Sequence, residues 1–378
     1  MSQASRRGFL RRTLGASWTA GALMEQSVLR AASARGQSKT APANLFTLEK
    51  MADGVYGAIS RPVAQLNCNA VIFENSNGLL VVDTHSKPSA AAALVAQIRR
   101  EITSKPVRYL VNSHFHWDHV QGNAAYRKSS TQVEVIASEA TRQLLSERAA
   151  PGLKSSLESA AGSLEVYRKN ASSAANEADK AYWRQMASDT EAFIKEMKDY
   201  VPDLPNITVQ GDLILHDKAH DLHVVFRGRG HTAGDVSVWC PSKKVAATGD
   251  LAHGALPYIG DGYPQDWPVT LAGLGMLGFD KFLGGHGGIL TGLTRLHQMR
   301  NYIEEVTMMV QEGLRRRVGL AEMQKQITPA SLKSLGGGYM EALVAAIPGV
   351  PGRTSAQIIA GTVAGNVSQI HAALSRPA

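Results

Sequence analysis

The stretch His114–His119 reads His-Phe-His-Trp-Asp-His, and it decides the fold because four of its six side chains are of the type that binds metal ions. It follows the apolar run Val107–Val111, which is typical of a buried strand. Binding side chains in α/β folds lie on the loops that follow such strands. Alternate residues of an extended loop point the same way, so His114 and His116 can bind one ion. Asp118 and His119 then turn towards a second point nearby.

Further along the chain, three more candidate ligands follow apolar runs. His231, Asp250 and His286 each have glycine neighbours, which let the backbone and a substrate approach closely. Asp83 ends another apolar run. Imidazole and carboxylate ligands suit Zn²⁺, and they leave Fe or Mn open as alternatives. The two cysteines are too few for a Cys-rich zinc site or a disulfide framework.

The runs around these residues predict a layered α/β fold. Apolar runs at 70–74 and 79–83 are separated by Asn-Ser-Asn-Gly, which predicts a hairpin. Helical spacing over 88–102 then precedes the strand at 107–111, so a strand–helix–strand unit is expected.

Two other regions have helical patterns. Residues 141–200 have apolar positions at helical intervals and end at Pro202 and Pro205, which predicts two or three amphipathic helices. We interpret this insertion either as a lid over a site or as a packing element or dimer contact. From Thr294 to the end the pattern is mostly helical.

The N-terminal residues read as a targeting segment. Ser5–Arg11 resembles the twin-arginine export signal Ser-Arg-Arg-x-Phe-Leu-Lys, with Arg in place of the last Lys. A weakly apolar stretch and a small-residue cleavage site at Ala32–Ala34 follow it. The resemblance implies that residues 1–34 are a signal peptide, that the twin-arginine export machinery is a partner, and that the mature protein is periplasmic or secreted.

Charge and hydropathy exclude two classes of partner. The net charge is +8, and half of it comes from the five arginines and one glutamate of residues 1–34. The remaining charge forms no basic patch interleaved with aromatic residues, so nucleic-acid binding is not expected. No run of 18 apolar residues exists, so no stable membrane span is expected either.

Taken in order, these motifs resemble those of the metallo-β-lactamase fold superfamily of metal-dependent hydrolases, over roughly residues 45–300. The resemblance implies a four-layer αββα sandwich, with a helical insertion at 141–205 and a C-terminal helical extension at 301–378. It also implies a role for each motif residue. The first ion would be bound by His114, His116 and His231. The second ion would be bound by Asp118, His119 and His286. Asp250 would bridge both ions, and Asp83 would orient a ligand histidine by a hydrogen bond.

The family implies a function as well: a dinuclear zinc hydrolase that cleaves an ester, thioester, lactone or amide of a small molecule by a metal-bridging hydroxide. Asp118 would orient that hydroxide. Asp250 and His119 match hydrolases of the glyoxalase II and lactonase type. The complete set of ligands for two ions disfavours a persulfide-oxidising iron enzyme.

Two alternatives stay open. One is a true β-lactamase, because the segment His231–Pro241 is similar to one in exported metallo-β-lactamases that have a bridging Cys. Those enzymes carry a substrate-binding Lys at the position of His253, which is therefore a candidate substrate contact. The other is a metal-binding accessory protein for a periplasmic quinoprotein. Residues 65–69 are a candidate flap over the metals, and residues 256–264 a candidate wall of the substrate site.

Overall fold

The structure is a computed structural model, and it describes residues 45–61, 67–130, 132–347 and 349–375. The predicted signal peptide at 1–34 lies outside the described residues, as do Gln65 and Leu66 of the predicted flap. Within the described ranges, the strands form one sheet of seven and one sheet of six.

The first sheet has its strands in chain order. They are β1 Phe46–Ala52, β2 Val55–Ser60, β3 Ala70–Asn75, β4 Gly78–Val82, β5 Val107–Val111, β6 Glu134–Ser138 and β7 Ile207–Val209. The predicted hairpin is confirmed, because β3 and β4 pair antiparallel with Asn75 opposite Gly78. Strands β4 to β7 run parallel. The loops after β4 and β5 therefore leave the sheet at the same edge.

The second sheet has the spatial order β13-β12-β11-β10-β9-β8. Its strands are β8 Leu213–Leu215, β9 Leu222–Phe226, β10 Val236–Cys240, β11 Val245–Gly249, β12 Lys281–Gly284 and β13 Leu290–Thr291. Strands β11 and β12 pair parallel, and β10 runs antiparallel to both β9 and β11. The loops after β9, β11 and β12 therefore also share one edge.

Ten α-helices lie within the described ranges. They are α1 Pro88–Glu101, α2 Trp117–Val120, α3 Asn123–Ser129, α4 Glu139–Ser173, α5 Glu177–Met197, α6 Trp267–Gly275, α7 Thr294–Arg315, α8 Leu320–Gln326, α9 Tyr339–Ala346 and α10 Ser355–Leu374. The predicted helix at 88–102 corresponds to α1. None of the described helices is both long and apolar enough to cross a membrane.

Side-chain alternation along the strands divides the core into layers. Phe73, Leu80 and Val82 point between the sheets and pack with residues of the second sheet such as Val224 and Val238. The intervening side chains of β3 and β4 point outward and pack against α1. On the other outer face, β11 and β12 are covered by α6, α7 and α10. The order is helix, sheet, sheet, helix, which confirms the predicted four-layer αββα sandwich.

The insertion contains two helices, α4 and α5, which pack closely against each other. The Ser138 hydroxyl caps α4 by accepting a hydrogen bond from the Thr141 N–H at 3.1 Å. At the C-terminal end, α7 begins at Thr294, where the sequence pattern becomes helical, and continues past residue 300, after which the resemblance implied the extension. Its residues Met299 and Ile303 are in the cluster that covers the second sheet. Helix α7 therefore crosses residue 300 and is part of the outer helical layer of the sandwich.

Candidate metal centre

Both sheets send loops from their strand ends to one edge of the sandwich. Asp83 follows β4, and the segment His114–His119 follows β5. From the second sheet, His231 follows β9, Asp250 follows β11 and His286 follows β12. All eight predicted residues are at most 8% exposed to solvent. Gly249 makes the approach of the sheets feasible, because its φ of +52° and its closeness to Ser113 leave no room for a side chain.

One group of possible ligands consists of His114, His116 and His231, whose ring nitrogens lie within 4.8 Å of one another. The Nδ1 atom of His116 is 2.9 Å from the Nε2 atom of His231. The His114 ring lies 4.6 Å from the His116 ring and 4.7 Å from the His231 ring, measured between centroids. The structure therefore brings together the three residues predicted for the first ion.

The remote nitrogen of each of these histidines has its own partner. His116 Nε2 donates to Asp261 Oδ2 at 3.1 Å, and His231 Nδ1 donates to the Tyr258 carbonyl at 3.1 Å. His114 Nδ1 donates to the Ser113 hydroxyl at 2.9 Å. We assign the protons to these remote nitrogens, and the lone pairs on the other nitrogens then point towards one another.

A second group consists of Asp118, His119 and His286. The two histidines face each other through their Nε2 atoms, which are 3.4 Å apart. Asp118 Oδ2 lies 3.4 Å from His119 Nε2 and 3.3 Å from His286 Nε2. These are the three residues predicted for the second ion.

Asp250 lies between the two groups. Its Oδ2 atom is 3.0 Å from His286 Nε2 and 3.7 Å from His231 Nε2. Its Oδ1 atom is 3.5 Å from His119 Nε2. A carboxylate in this position can contact ions in both groups.

Asp83 lies behind the second group and binds His119 through a hydrogen bond. Its Oδ2 atom accepts from His119 Nδ1 at 2.8 Å and from the Ser113 hydroxyl at 2.9 Å. Its Oδ1 atom accepts from the Ser113 N–H at 2.8 Å. The backbone of Asp83 has a φ of +66°, a conformation that Asp and Asn tolerate better than most residues.

The atoms that point into the centre fit a cation. His114 Nε2, Asp118 Oδ2 and Asp250 Oδ1 are buried and have no hydrogen-bond partner among the described residues. Buried polar atoms without partners are costly, and the facing lone pairs of the first group repel each other. Positive ions in the two groups would remove both costs, so the donor set suits metal binding.

The pKa values of the candidate ligands also favour metal binding. Burial lowers the pKa of His114 well below its ordinary value and that of His231 to about 3, so both are neutral. Burial by itself would raise the pKa of Asp118, but the neighbouring His119 holds it well below its usual range. Burial would lower the pKa of His119, and Asp118 and the other acidic neighbours outweigh it and raise that pKa. In the metal-free protein, a proton on His119 therefore supplies a positive charge at this point.

Four contributors to the site have no clear signal in the sequence: Ser113, Asp261, Arg148 and Cys68. Arg148 of α4 donates to Asp261 Oδ1 at 3.0 Å, so an insertion residue contacts a partner of a predicted ligand. Asp261 lies in the predicted substrate wall at 256–264, but nothing in the sequence linked it to His116. Cys68 is a buried free thiol. Its sulfur and the possible ligand atoms of Asp83 and His119 lie within 4.8 Å of one another.

His253, the predicted substrate contact, lies beside the second group. It is 4% exposed, and its ring centroid is 5.8 Å from that of His286. Its Nδ1 atom accepts a hydrogen bond from the Ala255 N–H at 3.1 Å. Its role as a substrate contact stays a prediction.

Residues 63–286 match the family model of the metallo-beta-lactamase superfamily, which is more than half of the 378 residues. The chain belongs to the metallo-β-lactamase superfamily. The match begins before β3 and ends at His286, so it covers β3 to β7 of the first sheet, β8 to β12 of the second, the insertion and all the predicted metal ligands of this family member.

Solved structures, two metallo-β-lactamases among them, are similar to this one. A metallo-β-lactamase from Pontibacter korlensis is 18% identical, with a TM-score of 0.50, over 68% of this chain and 99% of that chain. The DIM-1 metallo-β-lactamase is 17% identical, with a TM-score of 0.49, over 69% and 97% of the two chains. VMB-1 is 16% identical, with a TM-score of 0.49, over 70% and 98%. At such identities the likeness concerns the fold.

Proposed function

We propose that this superfamily member is an exported hydrolase that uses two zinc ions to cleave an ester, thioester, lactone or amide. The observation that supports it best is the pair of adjacent ligand groups with Asp250 between them. Histidine nitrogens and carboxylate oxygens converge there, and three of these atoms, His114 Nε2, Asp118 Oδ2 and Asp250 Oδ1, have no hydrogen-bond partner within the described ranges. Such nitrogen and oxygen donors suit Zn²⁺, and Fe or Mn are the alternatives.

Two bound ions would supply an activated water at neutral pH and would polarise the bond under attack. The residues of the chain would hold and orient the reactants. Asp118 stays ionised because its pKa is depressed, so it can accept a hydrogen bond from the attacking water and orient it. Because the nucleophile in this mechanism is the metal-activated water, no Ser, Thr or Cys has to attack the substrate, and no acyl-enzyme forms.

A cleft of about 250 Å³ lies on the outer side of the first ligand group, where its lining includes Asp261, the hydrogen-bond partner of His116. Its lining includes Phe115, Ala233 and Tyr263 as well as Arg148 and Arg229. Asp261, Asp266 and Gln265 also line it, so its walls are mixed polar and apolar. A substrate bound in this cleft would contact Arg148 and Arg229.

Metal analysis of the purified mature protein, followed by a substrate screen, tests the proposal. We expect about two zinc ions per chain and turnover of at least one lactone or thioester. Preferential turnover of β-lactams would favour the β-lactamase instead. Two ions with no turnover of any substrate class would favour the accessory protein, and a chain that binds no metal would refute the metal centre. A trapped covalent acyl-enzyme would refute the mechanism.

Export through the twin-arginine pathway is the second part of the proposal. It is supported by the near-complete motif at Ser5–Arg11. We expect the double variant Arg6→Lys, Arg7→Lys to stay folded in the cytoplasm. An unchanged periplasmic yield of this variant would refute export by this route.

A further inference from the structure

We propose that Arg148, on the insertion helix α4, positions the metal ligand His116 through Asp261. The inference rests on the proposed metal centre. Asp261 uses one oxygen for each neighbour: Oδ2 accepts from His116 Nε2 at 3.1 Å, and Oδ1 accepts from Arg148 Nη1 at 3.0 Å. The Arg148 guanidinium thus holds the carboxylate that fixes the ring of His116.

Asp261 needs such a partner because it lies on a loop. It sits between Asp250 and α6, outside any regular element, and has a glycine on each side. A side chain outside a regular element orients another group well only when it is itself held in place. Arg148 supplies a planar donor and a charge-assisted hydrogen bond, and both favour one orientation of the carboxylate.

Helix α4 is itself anchored to the ligand segment. Side chains alternate there, so Phe115 and Trp117 point away from the centre while His114 and His116 point into it. Phe115 packs with Leu145, one turn before Arg148 on α4. The guanidinium of Arg148 lies 5.4 Å from the centroid of the Phe115 ring.

The insertion therefore contacts the ligand segment in two ways. It packs against the side chains that alternate with the ligands, and it holds the outer nitrogen of His116 through Asp261. Of the interpretations open from sequence, a packing element that supports the first ligand group fits these contacts best. Loss of the Arg148 contact should weaken the first metal ion more than the second.

Three variants of the full mature chain test this, with zinc affinity measured by chelator competition. Loss of a hydrogen-bond partner of a metal-bound histidine lowers affinity about 10–100-fold. We expect Asp261→Asn to fall in that range for the first ion and Arg148→Gln to cost about tenfold. Arg148→Lys should recover part of the loss because it keeps the charge. Visible spectra after Co²⁺ substitution should show altered bands for the first ion in Arg148→Gln.

Arg127→Gln is the matched control. Arg127 pairs with Asp203 at 2.8 Å, and its side chain is 31% exposed, the same fraction as that of Arg148. Its hydrogen-bond partners in the described part of the chain do not include a predicted ligand. This variant should keep wild-type zinc affinity even if the metal-free protein melts at a lower temperature.

The double variant Arg148→Gln, Asp261→Asn tests whether Arg148 acts on His116 through Asp261 or affects zinc binding independently of Asp261. Because Arg148 acts through Asp261, the double variant should bind zinc no more weakly than Asp261→Asn alone. Additive losses would overturn the proposal, as would Arg148→Gln with affinity within twofold of wild type. If Arg148→Gln does not fold, Arg148→Lys alone and combined with Asp261→Asn gives the same comparison. A wild-type chain that binds no zinc refutes the metal centre itself, whereas wild-type binding with unaffected variants refutes only this inference.

Discussion

Asp83→Asn should weaken the second metal ion without disturbing the backbone. The Asp83 carboxylate accepts three hydrogen bonds, two from Ser113 and one from His119 Nδ1 at 2.8 Å. Asparagine has the same shape and also tolerates the positive φ at this position. It has one acceptor oxygen and one NH₂ group in place of two acceptors. If that oxygen keeps the Ser113 N–H, the NH₂ group faces the N–H of His119.

The size of the effect follows from these contacts. A hydrogen bond to a charged group contributes about 1.5–3 kcal/mol, and here it becomes a contact between two donors. Since about 1.4 kcal/mol corresponds to a tenfold change in an equilibrium constant, zinc affinity should fall about 10–100-fold. The ion bound by His119 should be affected more than the other.

Chelator competition on the purified variant measures this loss, and Asp217→Asn is the control. Asp217 accepts from the N–H of Ser76 at 2.9 Å and from its hydroxyl at 2.6 Å, as Asp83 does from Ser113. Its hydrogen-bond partners within the described ranges do not include a predicted ligand. Zinc affinity of Asp83→Asn equal to that of Asp217→Asn would refute the role of Asp83.

Three further predictions concern the centre and its support. Asp250→Ala should weaken both ions, because its carboxylate lies 3.0 Å from His286 and 3.7 Å from His231; calorimetric titration showing one unaffected ion would contradict this. An ion that binds must displace the proton of His119, so zinc affinity should rise with pH through the raised pKa of that residue. As the pH rises above 6.5 through that raised pKa, the metal-free protein should lose stability, because protonated His119 stabilises the folded state and deprotonated His119 does not. If neither zinc affinity nor the stability of the metal-free protein changes with pH, His119 does not carry this proton. Phe193→Ala should lower the free energy of unfolding by about 3–5 kcal/mol, because the ring is fully buried against Trp117; urea denaturation with a wild-type midpoint would argue against that packing.

The meeting of the candidate ligands at one edge was predictable from the sequence, because each of them follows an apolar run that forms a strand. Asp83, Asp250 and His286 each come after an apolar run that was predicted to be a strand, and α/β folds place their sites at such strand ends. The partners of the ligands were not predictable in the same way. His116 and Asp261 are 145 residues apart, and only the tertiary course of a loop brings them together. No local sequence pattern indicates a contact between residues so far apart in the chain.

The role of the insertion was likewise not predictable from the sequence alone. Its helical spacing predicted two or three helices with an apolar face, and two are observed. Periodicity shows that a face is buried but not what buries it. The contact between Phe193 and Trp117 depends on the packing of α5 against the ligand segment, so the choice between lid and packing element needed the structure.

Because ligands from both sheets meet at the centre, a bound ion would act as a cross-link. His119 and His286 are 167 residues apart in the chain, and an ion held by both would close that long loop in any partly unfolded state. A ligand that binds only the folded state adds about 4.1 kcal/mol of stability when its free concentration is 1,000 times its dissociation constant. The melting temperature should therefore report the free zinc concentration of the buffer. After chelation, backbone amide exchange should accelerate first along the seam where the two sheets face each other.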